Sequence, residues 1–176
     1  MTEDHTVRTA DPGHTVRTAD RGPVRIITLD RPERYNALTF KVYKELTEFF
    51  RVIAGRTGDP SGTGARSLVL QGEGRAFCGG GDVDDIITRL HGRDAEGLLT
   101  FTRMTGALIQ AMRMCPLPIV ASVKRVAAGA GAVMALAADL RVIGENAFFA
   151  LASVIGDDYP AEQLSTQQIR EFRDEM

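Results

Sequence analysis

The chain has no tryptophan and only two cysteines, Cys78 and Cys115. Two cysteines make neither a disulfide framework nor a metal-ligand cluster, so both are expected as reduced thiols. No apolar run reaches the ~18 residues that cross a bilayer. The N-terminus carries charges where a signal peptide would be apolar. Charge of one sign is also missing: 21 Lys and Arg face 23 Asp and Glu, a net charge of −2. That balance argues for neither a nucleic-acid partner nor an anionic membrane. The expectation is a soluble, cytoplasmic protein. What the chain does have is 176 residues, 44% of them hydrophobic, enough for one domain with a real core.

Residues 5–13 read HTVRTADPG and residues 14–22 read HTVRTADRG, matching at all but one position. Two copies are too few for a solenoid. Residues 1–13 are therefore expected to be a duplicated, disordered leader, and the second copy to enter the fold. That copy runs into Val24-Arg25-Ile26-Ile27-Thr28-Leu29, with turn chemistry between, so residues 15–30 predict a β-hairpin. Thr39 can cap a helix in which Val42, Tyr43, Leu46, Phe49, Phe50 and Ile53 recur at helical spacing. Residues 55–64 read as a surface loop and Leu68-Val69-Leu70 as a short buried strand. Residues 72–82 read as a glycine-rich loop, followed by helices over 83–90 and 96–114. Ile119 to Val123 reads as a buried strand, 127–138 as one tightly packed helix, and 139–143 and 146–149 as strands. The order is that of an α/β fold.

Two segments carry possible chemistry. Arg75-Ala76-Phe77-Cys78-Gly79-Gly80-Gly81-Asp82-Val83 opens a helix. Its glycines allow close backbone approach to a ligand, its N–H groups are unspent donors, and Asp82 can cap the helix. Val126-Ala127-Ala128-Gly129-Ala130-Gly131-Ala132 also lies between a strand and a helix. Taken singly, the first could be a tight loop and the second close helix packing. Taken together, two such junctions can bring two backbone donors to one carbonyl oxygen, an oxyanion hole.

The chain resembles the crotonase superfamily, the enoyl-CoA hydratase/isomerase proteins, over roughly residues 15–156. The resemblance rests on four motifs in order: Leu29-Asp30-Arg31-Pro32 with Asn36-Ala37-Leu38; residues 75–83; residues 126–131; and Ala138-Asp139-Leu140-Arg141 with Ala147-Phe148-Phe149. It implies a ββα spiral core over 14–156 that binds acyl-CoA thioesters, with coenzyme A arriving as part of the substrate and no metal or separate cofactor. By the same resemblance, the N–H groups of Gly81 and Ala130 hold the oxyanion. Arg34, Ala37, Leu38, Ala76, Asp82, Val83 and Gly129 fall at CoA-binding positions. A trimer-type homo-oligomer is implied if the core is completed.

The chain also departs from that pattern. Hydration needs groups that move protons to and from water, in this family two glutamates. Val133 stands at the position of one, and Ala152 and Ser153 are nearest to that of the other. Asp157 and Asp158 follow closely and are the remaining acid/base candidates. The Lys124-Arg125 turn replaces an Asn-Gly, so a positive φ there would be strained. The family continues with helices past Gly156, whereas residues 157–176 read as a divergent polar tail, a C-terminal truncation that would leave apolar core surface exposed. Three functions follow. One is an acyl-CoA lyase or isomerase working through an enolate. The second is a CoA-binding remnant without proton-transfer groups. The third is a nucleotide-binding α/β protein, for which Met134 stands where a third glycine is needed.

Overall fold

In the computed structural model, residues 15–55, 64–90 and 93–151 are described. The expected leader (1–13) and polar tail (157–176) lie outside them. The hairpin forms as β1 (Val16–Arg21) and β2 (Val24–Leu29), paired antiparallel from Val16 opposite Leu29 to Arg21 opposite Val24. Gly22 makes this two-residue turn at φ 55°, a conformation that costs glycine little.

Helix α1 (Phe40–Ala54) begins where the Thr39 side chain accepts the Val42 N–H. Val42, Leu46, Phe50 and Ile53 on its inner face are all buried. Beyond it, strands come in pairs: β3 (Ser67–Gly72) with β4 (Ala76–Cys78), β5 (Ile119–Val123) with β6 (Val126–Ala128), and β7 (Leu140–Ile143) with β8 (Phe148–Ala150). The first strand of each pair joins a five-stranded sheet ordered β1-β2-β3-β5-β7. The second joins a three-stranded sheet ordered β4-β6-β8. Apart from β1 with β2, all these pairings are parallel. After β4 comes a π-helical turn, Val83–Ile87, continued by α2 (Thr88–Leu90) and then α3 (Ala95–Arg113). After β6 comes α4 (Ala130–Ala137). This repetition is the ββα spiral that the motifs implied.

Two expectations are corrected. Residues 127–138 are not one helix: residues 126–128 pair with Phe148 to Ala150 as β6, and the chain turns at Gly129 (φ 49°) before α4 starts. A run of small apolar residues carries no polar alternation that separates strand from helix. Residues 72–82 are not all loop, because Ala76–Cys78 forms a three-residue strand against β6. The Lys124-Arg125 turn needs no positive φ; among the described non-glycine residues that conformation falls on Tyr35 and Asn36. On the edge strand β7, Leu140, Val142 and Ile143 are all exposed.

Candidate functional site

The loop after β4 is set by the segment that precedes α1. The Gly79 N–H donates to the Tyr35 carbonyl (2.8 Å), the Leu38 N–H to the Gly80 carbonyl (2.7 Å), and the Asp82 N–H to the Leu38 carbonyl (2.9 Å). Asn36 fixes that segment in turn. It is 1% exposed; its amide donates to the Glu73 and Ala76 carbonyls, and its oxygen accepts the Arg31 N–H. The left-handed backbone at Tyr35 and Asn36 is strained for bulky residues and is held by these bonds.

The Gly81 N–H meets no backbone acceptor among the described residues. The Ala130 N–H is likewise unspent, because it is the first residue of α4 and helix N-termini leave such donors unpaired. The two junctions touch. A methyl group built on Gly80, at φ 100°, would lie 3.1 Å from the Ala128 carbonyl oxygen, and one built on Gly129 would lie 3.8 Å from the Gly80 Cα. Gly131 seats α4 on β4, since a methyl group there would fall 2.4 Å from the Cys78 carbonyl oxygen.

Gly81 and Ala130 line one cavity of about 730 Å³. Ile86, Val133 and Met134 complete its wall near the glycine loops. Tyr43, Phe101, Leu108 and Ile109 line it from α1 and α3, with Thr105, Gly106 and Gln110. Tyr43 and Phe101 meet edge to face, their centroids 6.3 Å apart. Among the described lining residues none is a carboxylate or a cation, and the position expected to bear a glutamate presents the Val133 side chain, 44% exposed. The acid/base candidates Asp157 and Asp158, like Ala152 and Ser153, lie outside the described residues. Gly81 and Ala130 thus lie on one largely apolar cavity, each with an amide that meets no backbone acceptor among the described residues.

Sequence reasoning missed the cavity role of Tyr43, which registers only as part of the apolar stripe of α1. Its polar tip on a buried face was the available signal. Phe101, Leu108 and Ile109 carry no signal beyond helical periodicity.

The CoA-position residues are dispersed differently. Gly129 sits at the turn before Ala130. Leu38, Ala76 and Asp82 are buried, so the chain presents mainly their backbone. Ala37 is half-buried and accepts from the Arg31 guanidinium through its carbonyl (2.6 Å). Val83 is exposed. Arg34 pairs with Asp84 and comes within 3.7 Å of Asp82. It lies on a second groove that mixes cations (Arg31, Lys41, Arg89) with acids (Glu33, Asp84, Asp85). A phosphate bound by Arg34 would compete with Asp84.

Asp82 caps the π-helical turn by accepting the Asp84 and Asp85 N–H groups and bonds the Arg31 guanidinium at 2.9 Å. Burial alone would raise its pKa, but the Asp85 N–H and the Arg31 and Arg34 charges outweigh burial and hold the carboxyl below its usual value. A lowered folded-state pKa gives stability that is present above the unfolded carboxylate pKa and is lost as pH falls through the lowered one. Asp82→Asn should therefore cost roughly 2–3 kcal/mol at pH 7. The gap in thermal midpoint from the wild type should narrow as pH drops below ~4, and a gap that stays constant down to pH 2 would refute this role.

The cysteines add no reactive group. Burial pushes the Cys78 thiol up to about 12 and raises Cys115 as well, so neither is an activated nucleophile. Among the described residues no three His, Cys, Asp or Glu side chains cluster as metal ligands, and no helix is long and apolar enough to cross a membrane.

The family model described as enoyl-CoA hydratase/isomerase matches residues 20–161. A probable enoyl-CoA hydratase of Rhodobacter capsulatus is 42% identical over 127 residues, covering 70% of this chain and 44% of that protein. The 1,2-epoxyphenylacetyl-CoA isomerase of Escherichia coli is 32% identical over 129 residues, covering 73% and 47%. The crystal structure of a proposed enoyl-CoA hydratase from Streptomyces coelicolor A3(2) superposes with a TM-score of 0.69 at 41% identity, covering 85% of this chain and 52% of that one. The chain thus spans about half the length of the relatives it matches.

Proposed function

Because the chain belongs to the enoyl-CoA hydratase/isomerase family, we propose that it binds an acyl-CoA thioester with the carbonyl oxygen between the N–H groups of Gly81 and Ala130. The observation that carries this reading is that both residues line one apolar cavity and neither amide meets a backbone acceptor among the described residues. As a proton leaves the α-carbon, charge gathers on that oxygen. Donors already in place stabilise it without reorganising, and the apolar walls strengthen the interaction by excluding water. Coenzyme A is then the substrate's carrier, held along the 34–38 segment and the 76–83 loop. A cytoplasmic location and a homo-oligomer belong to the same proposal.

The proton-moving group is the open half of the mechanism. Val133 cannot act as acid or base, which disfavours the addition of water by two carboxylates. A proton shift by a single carboxylate, Asp157 or Asp158, is the compatible chemistry. Val133 equally favours a second reading, a CoA-binding protein without turnover. Crotonyl-CoA separates the two. Saturable binding is expected under both. Loss of the conjugated-thioester absorbance assigns hydration, and bound ester with unchanged absorbance points to the second reading or to isomerase chemistry on another ester. A protein that neither binds nor converts crotonyl-CoA overturns both.

A further inference from the structure

Tyr43 is the one ionisable side chain among the described residues that line the cavity. It is 2% exposed, and its ring is held edge-on by Phe101. No hydrogen bond joins its hydroxyl to any described residue. The polar side-chain atom that is both sealed and unpaired among the described residues is Thr47 Oγ1. The Tyr43 hydroxyl, equally without a partner, is therefore not sealed, and Tyr43 lines the cavity. Burial raises the phenol's pKa above its ordinary value, so it stays protonated at physiological pH and can donate.

Water can satisfy that hydroxyl while the cavity is empty. A purely aliphatic acyl chain would displace the water and leave the donor unpaired, which is costly in an apolar site. An acyl chain with an oxygen in reach would restore the bond. Sites built around a buried donor reject partners that lack the acceptor far more strongly than apolar pockets reject an extra methylene. We infer that Tyr43 is a specificity-determining residue, its phenol O–H donating to a keto, hydroxyl or ether oxygen on the acyl chain beyond the thioester carbonyl. The preferred substrate class is thus an oxygen-bearing acyl-CoA. The inference rests on the proposed reading of the cavity as the acyl site.

The test is a titration of the protein with hexanoyl-CoA, 4-oxohexanoyl-CoA and 5-oxohexanoyl-CoA, repeated with Tyr43→Phe. The variant keeps the ring and its contact with Phe101, so its thermal midpoint should stay close to the wild type's. At least one oxo ester is expected to bind the wild type about tenfold more tightly than hexanoyl-CoA, the size of one neutral hydrogen bond. Tyr43→Phe should erase that preference and leave hexanoyl-CoA binding as tight or tighter. Equal binding of all three esters by the wild type would overturn the inference, with the acyl-CoA reading intact. A preference that survives in Tyr43→Phe would also overturn it. Failure of every ester to bind the wild type would overturn both.

Discussion

On the proposed enzyme reading, replacing Gly81 by proline should lower catalysed exchange of acyl-CoA α-hydrogens with deuterated water by about 10²–10³-fold, the loss of roughly 3 kcal/mol typical when one oxyanion donor is removed. Proline deletes an amide that meets no backbone acceptor among the described residues, so the Gly79, Leu38 and Asp82 bonds stay available to hold the loop. Gly81→Ala makes the comparison sharp. A methyl group there would approach nothing closer than Ile86 Cγ2 at 4.0 Å, and alanine keeps its N–H. That variant should fall by less than about tenfold, well short of a lost donor. Equal losses in the two variants would mean that loop shape, not the amide, is what matters at Gly81.

A second large effect is expected at Gly131, through stability. A methyl group there would lie 2.4 Å from the Cys78 carbonyl oxygen, 2.6 Å from its Cβ and 2.8 Å from its Sγ. The tightest of these contacts is with backbone, so no side-chain rotation relieves it, and α4 must move away from β4. Overpacking of this kind costs typically 1–3 kcal/mol. For a chain of this size that lowers the thermal midpoint of Gly131→Ala by roughly 3–10 °C. Because α4 carries the Ala130 amide, acyl-CoA affinity should fall as well. Adding Cys78→Ala removes the Sγ contact but not the carbonyl contact, so the double variant should not recover. Recovery would show that the sulfur, not the strand backbone, sets the spacing. An unchanged midpoint in the single variant would contradict the close seating of α4.

The sequence was most informative where periodicity is long or chemistry is local. The stripe of Val42, Leu46, Phe50 and Ile53 and the Thr39 cap define α1, the two glycine-rich junctions lie on one cavity, and of the expected turn residues Asp20-Arg21-Gly22 only Gly22 lies in the turn, with Asp20 and Arg21 paired in β1. The second sheet was largely hidden, because β4 and β6 are three residues each and no alternation emerges from Ala76 to Cys78 or from Val126 to Ala128. Their existence depends on pairing with each other and with β8, a tertiary fact. The positive φ that would have strained Lys124-Arg125 is found instead at Tyr35 and Asn36, where Asn36 bonds three backbone groups far apart in sequence. Tyr43 gave only an apolar-face signal, because nothing local says that it lines a cavity rather than a core.

The proposed site depends on two amides that meet no backbone acceptor among the described residues, and the carbonyl stretch of a bound thioester reports on them directly. With the thioester carbonyl labelled by carbon-13, the infrared difference spectrum of the complex should show that band shifted to lower frequency than in water, and Gly81→Pro should move it back toward the solution value. A bound thioester whose carbonyl band is unshifted, or whose shift is the same in wild type and Gly81→Pro, would contradict the placement of the carbonyl oxygen between Gly81 and Ala130.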